Sequence, residues 1–356
     1  NDRGERNDKN ARRQDTLACM ESIVQVAEAT TPNPHVAIIA GDLFNRSRVW
    51  ADTALEDVQE AVTTFIRPLC KCCEHVVLLF GTENHDNPKA FGLPQELTRD
   101  EKNLHVYVKP GVHRLETSDG DVQILALPGF DKGRLRLFCP GADKEAENRN
   151  ATALINDVLL GLSIGLDRTI PSILAAHYTV AGSEYNNGST FLAGQDTVLV
   201  PSTIDSTGVT LACLGHIHKP QKINCHTPAY YCGSPNQLTF GDEGTKHGFW
   251  MHTIGYTFGK PDYAESLFFT TPERKHYTYR LSPDDVGEFI STGGLSKVPE
   301  AVKGAIVRVR YSWNAEQDKA LSKADLQTKL LAAGAFYVAE VLPEDVKELD
   351  SASEVT

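Results

Sequence analysis

The 356 residues are 41% hydrophobic and 23% charged, a globular balance that excludes wholesale disorder and, at roughly 100–200 residues per domain, suggests two or three units. Acidic residues outnumber basic ones 47 to 35, so a net charge of −12 disfavours nonspecific adhesion to nucleic acid or anionic lipid. The longest apolar runs are about five residues against the roughly 20 needed to cross a bilayer, and eight cysteines suit a reducing, cytoplasmic setting better than a disulfide scaffold.

The opening NDRGERNDKNARRQD is polar and carries no strand-like run. Leu17, Met20, Val24 and Ala27 then recur at helical spacing and predict an amphipathic helix. A buried strand at Val36 to Ala40 follows. A second helix is marked by Leu55, Val58, Val62 and Phe65, and a second strand by Val76 to Phe80. Helix, strand, helix, strand is the rhythm of an α/β layer structure.

Further strands are expected at His105 to Val108, Val122 to Leu127, Ser172 to Ala176, Val209 to Leu214, Ala229 to Cys232, Gly248 to His252 and Ser266 to Phe269. A helix is expected at Ala151 to Leu162. The run KGRLRLF at 132–138 alternates charge and apolar character and reads as a half-exposed strand. Cys70, Cys72 and Cys73, near His75, lack the second spaced pair of a zinc site and are expected to pack in the core. Near Pro272 the texture turns to charge and proline. Residues 1–272 are therefore read as one domain and 273–356 as a small βαβ-type second domain, with a strand at Ala305 to Tyr311, a helix at Ala324 to Leu331 and a strand at Phe336 to Val341.

The buried runs repeatedly stop at metal-capable side chains. VAIIA leads into Gly41-Asp42, VVLLF into Asn84, His85 and Asp86, SILAA into His177, and TLACL into Gly215-His216-Ile217-His218. Ligand crevices of open α/β sheets lie beyond the carboxyl ends of the strands, so these groups could converge. Alternate residues of an extended segment point the same way, which favours His216 and His218 acting together. Each group alone has an ordinary reading, a turn for Asp42 or a satisfied histidine for His177. Together, imidazole, carboxylate and amide oxygen without thiolate suit Mn, Fe or Zn. Two such cations about 3.5–4 Å apart would activate water for phosphoester hydrolysis, and would supply the positive potential that the acidic chain lacks.

In their order, the residues GDLFNRS at 41–47, NHD at 84–86, HYTVAG at 177–182, LGHIHKPQ at 214–221 and YCGSPNQLTFGDEGTKHGF at 231–249 resemble the calcineurin-like metallophosphoesterase superfamily. Within it they resemble SbcD-type DNA repair exonuclease subunits, to which the last stretch is the most particular. The resemblance implies an αββα sandwich with a small C-terminal α/β capping domain. It also implies a nuclease that acts on duplex ends and on single-stranded or hairpin DNA, as a homodimer with an SbcC-type ABC ATPase, in the cytoplasm or at a bacterial nucleoid.

Carried over residue by residue, the resemblance makes Asp42 the bridge between two divalent ions, Mn foremost, with Mg, Fe or Zn as alternatives. Asn84, His177 and His216 would hold one ion and His218 the other. His85 would be the catalytic histidine and Asp86 its orienting partner, a helix N-cap being the other reading of Asp86. Arg46, Arg48, Lys219 and Lys222 could meet a phosphate backbone, or merely line solvated turns. The family's opening Asp-x-His pair is not in these 356 residues; it is expected just upstream of Asn1, and an ATPase-binding segment is expected after the cap. If the pair is truly lost, the chain becomes an impaired DNA- or ATPase-binding scaffold. A phosphatase or cyclic-nucleotide phosphodiesterase on the same fold is the other alternative.

Overall fold

A computed structural model describes residues 5–6, 9–44, 55–82, 86, 94–130, 135, 137–185, 197–312 and 315–344. The chain divides into two compact units: Thr16–Pro235 with Lys246–Pro272, and Asn1–Asp15 with Asn236–Thr245 and Glu273–Thr356.

The larger unit begins with helix α1 (Ala11–Ala29, which enters it at Thr16) and strand β1 (Val36–Ile39). Helical residues Leu55–Cys72 (α2, with a π-helical turn at Val62–Ile66) lead to β2 (His75–Leu79) and β3 (Leu104–Tyr107). These three strands form a parallel sheet in chain order. A hairpin, β4 (Gly111–Thr117) and β5 (Gly120–Leu127), starts the second sheet. Helix α3 (Lys144–Ser163) precedes β6 (Ser172–His177). The short β7 (Thr179–Val180) and β8 (Val198–Leu199), helix α4 (Pro201–Thr207), β9 (Leu211–Gly215), β10 (Gln221–Lys222) and β11 (Ala229–Tyr231) follow. The six-stranded sheet has the order β10-β11-β9-β6-β5-β4, with β5, β6, β9 and β11 parallel. An antiparallel ribbon, β12 (Gly248–Thr257) and β13 (Lys260–Thr270), ends the unit.

Alternation along each strand assigns its side chains to two cores. In β6, Ile173 and Ala175 enter the layer between the sheets, with Val77 and Leu79 of β2. Leu174 and Ala176 enter the layer against α3, with Ile155 and Leu159. On the outer face of the first sheet, Val76 and Leu78 pack with Val24 of α1 and Ile66 of α2. The layers are therefore helix, sheet, sheet, helix, the αββα order that the resemblance implies. Cys70, Cys72 and Cys73 lie in that outer core as expected. Burial pushes the Cys70 and Cys73 thiols up to about 11 and about 12, which removes any thiolate at neutral pH.

The smaller unit holds a second, fully parallel sheet: β14 (His276–Leu281), β15 (Ile306–Tyr311) and β16 (Tyr337–Pro343). Helices α5 (Pro283–Thr292), α6 (Ala315–Ala320) and α7 (Lys323–Ala332) connect the strands. This is one βα step more than the sequence suggests. Val307, Val309 and Tyr311 share a core with Phe289, Leu326 and Leu330.

Of the strand expected at 132–138, the described residues Leu135, Leu137 and Phe138 are helical instead. Leu135 is buried in the core beneath α3, whereas Leu137 and Phe138 are exposed, a division that two-residue alternation cannot produce.

Candidate metal centre

Parallel pairing and register bring the strand ends together. His177 ends β6 and is the register partner of Gly215, the last residue of β9, so His216 emerges beside His177. Continuing the alternation of Ile173 and Ala175, His177 turns toward the other sheet. There its Nδ1 donates to the carbonyl of Ala40, just past β1, at 2.6 Å. That bond fixes the tautomer and leaves the Nε2 lone pair 3.1 Å from Asp42 Oδ2, in a geometry that makes no hydrogen bond. Ligand atoms of Asp42, His177 and His216 all lie within 4.8 Å of one another. The His177 and His216 rings meet edge to face at 5.3 Å. Burial opposes a charged His177 ring, but Asp42 and the Ala40 carbonyl outweigh it and raise the pKa.

The backbone is bent to permit this. Asp42 has φ +53° and His216 φ +92°, two of the three non-glycine positive-φ residues among those described. Such conformations cost of order 1–3 kcal/mol each and persist only where the surroundings over-determine them. For Asp42 the determinant is Asp86, whose buried carboxylate accepts the N–H groups of Asp42 (2.8 Å), Gly81 (2.8 Å) and Phe44 (3.4 Å). Burial, then the neighbouring Asp42 charge, push the Asp86 pKa up to about 6, against the pull of the three N–H donors. Thr82 N–H donates to Asp42 Oδ1 at 3.2 Å and completes the tie between the two loops. Two glycines make the closeness possible. A Cβ on Gly215 would sit 2.0 Å from the Ala40 oxygen, and one on Gly81 would sit 2.2 Å from Asp42 Oδ1.

The structure thus brings together Asp42, His177 and His216, and puts Asp86 beneath them. Asp86 uses its oxygens on the Asp42 loop and on Gly81, and the residues that a helix N-cap there would serve lie outside those described. His218 is exposed and lies outside the three-residue cluster. The expectation that His216 and His218 point alike assumes an extended segment, and a φ of +92° at His216 removes that assumption. Asn84, His85, Arg46 and Arg48 lie outside the described residues. Lys219 is engaged by Glu184 at 2.6 Å, and Lys222 lies 5.7 Å from the centre of the Tyr230 ring. Sequence reasoning gave Gly81 and Gly215 no packing role and did not reach the Ala40 carbonyl. The Gly before each of Asp42 and His216 was the available signal.

The donor set fits a divalent cation. A buried imidazole nitrogen without a hydrogen-bond partner faces a carboxylate, and a second imidazole closes the group.

A sequence model of calcineurin-like phosphoesterases matches residues 9–220. Among solved structures, the phosphopantetheinyl hydrolase PptH from Mycobacterium tuberculosis is similar at 15% identity and a TM-score of 0.35, over 59% of this chain and 84% of that one. No curated protein matches.

Proposed function

We infer that this chain, which belongs to the calcineurin-like phosphoesterase family and is as such a metal-dependent phosphoesterase, is a DNA nuclease using two divalent ions, Mn foremost. The observation that carries the finer reading is the stretch at 231–249, the part most like the SbcD-type exonucleases. The parts of that stretch that belong to the larger unit, up to Pro235 and from Lys246, close on the loop that carries His218. Ser234 N–H donates to the carbonyl of His218 at 3.0 Å, and Gly233 packs so closely that a Cβ would meet that same carbonyl at 2.7 Å. His247, fully buried, bonds back to Ser234 through Nδ1 at 2.9 Å.

Asp42, His177 and His216 would hold a cation, with Asn84 as a further ligand and His218 toward the second ion. The cations would polarise the phosphoryl group and lower the pKa of the attacking water. His85 would stabilise the transition-state charge or give a proton to the leaving alkoxide, steered by the loop that Asp86 ties down. DNA as substrate, an SbcC-type ATPase and a second copy of the chain as partners, and a DNA-binding role for the smaller unit belong to the same proposal.

The test incubates the Mn-loaded chain with a labelled duplex, a labelled hairpin and a chromogenic phosphomonoester. Cleavage of either DNA, lost by several orders of magnitude in His85→Ala with its metal retained, supports the reading. Turnover of the monoester alone would replace it with a phosphatase.

A further inference from the structure

We propose that Glu184, Lys219 and Gln221 form a positioning clasp that sets the His177 loop against the His216–His218 loop, and so tunes metal affinity. The inference rests on the metal-dependent reading of the site. After His177 the chain passes through β7, turns at 181–183 and returns at Glu184 to the segment following His218. There the Gln221 side-chain amide acts as a stand-in for a strand. Its Oε1 accepts the N–H of Glu184 at 2.9 Å, and its Nε2 donates to the Glu184 carbonyl at 2.9 Å and to the Lys219 carbonyl at 3.1 Å. The Lys219 ammonium adds its contact with the Glu184 carboxylate at 2.6 Å.

Two segments, at Glu184 and at Lys219–Gln221, are thus pinned together, the first seven residues after His177 and the second three to five residues after His216. An exposed ion pair contributes little alone, so most of the hold comes from Gln221. What the clasp opposes is visible at His216, whose φ of +92° would relax if the two loops were free to part. The pair also neutralises Lys219.

Mn2+ affinity is measured by calorimetric titration of the metal-free full chain, alongside its thermal unfolding. Gln221→Ala and Lys219→Glu should each weaken Mn2+ binding, Gln221→Ala by about 10- to 100-fold, while unfolding stays cooperative. The double exchange Lys219→Glu with Glu184→Lys should recover affinity relative to Lys219→Glu. Wild-type affinity in both single variants would overturn the clasp. So would a double exchange no better than Lys219→Glu, which tolerates folding at this partly exposed pair even if Gln221→Ala does not. A wild-type chain that binds no Mn2+ would instead defeat the metal-dependent reading itself.

Discussion

Asp42 and His216 hold backbone conformations that side chains seldom adopt, and both supply candidate ligands. Strain placed at the reacting centre has to be offset by neighbours, here the Asp86 carboxylate and the glycines that let the loops touch. His216→Gly should therefore separate stability from function. It relieves strain worth about 1 kcal/mol, so the metal-free melting point should rise while Mn2+ affinity falls. A lower melting point would show that φ +92° is unstrained there. Gly215→Ala should do the opposite and reduce both, since its Cβ has no room between Ala40 and His177; a folded variant with wild-type metal affinity would contradict the packing. Asp42, His177 and His216 were legible in sequence because each follows an apolar run, His177 directly and the other two after a single glycine. The function of Asp86 was not, since its three N–H donors come from residues 5 to 44 positions away and only the fold assembles them.

At the scale of elements, β6 and β9 aim the candidate ligands His177 and His216, and Tyr231 at the end of β11 braces the exit of β6. Its hydroxyl donates to the Tyr178 carbonyl at 2.6 Å and accepts the Val180 N–H at 2.8 Å. Tyr231→Phe would leave both backbone groups unpaired in a dry core, and should cost about 1–3 kcal/mol in denaturant unfolding. No measurable loss would mean that the bend after His177 holds itself. The strands feeding the site were readable because both faces pack against apolar cores, which makes their sequences continuous apolar runs. β4 was missed because its sequence, GVHRLET, has one exposed side and little apolar character. The helix at Pro201–Thr207 was missed because PSTIDST buries little beyond Ile204 and Thr207. β14 did carry a signal, the alternation of Tyr277, Tyr279 and Leu281 with Thr278 and Arg280, whose polarity hid it.

Across the whole molecule, each unit holds a histidine that its environment keeps neutral. Burial pushes His252 of the larger unit and His276 of the smaller one down to about 4, with Arg12 adding to the effect at His276. Unfolded, both titrate near 6.5, so below that pH the unfolded chain binds more protons than the folded one. Their contribution is fully present above about pH 6.5 and is lost progressively as pH falls toward 4. Melting points across that window should drop, and His252→Gln with His276→Gln should flatten the drop; a slope unchanged by both would assign it to other groups. With a net charge of −12, the chain needs a local positive feature, such as bound metal or a basic patch, to meet a phosphate ester.

Elemental analysis of the Mn-equilibrated chain after gel filtration, compared with Asp42→Ala, His177→Ala and His216→Ala, addresses the metal centre most directly. Retained divalent metal in the wild type, sharply reduced in each of the three variants while all remain folded, is the predicted result. Metal-free wild-type protein, or equal occupancy in folded variants, would contradict it.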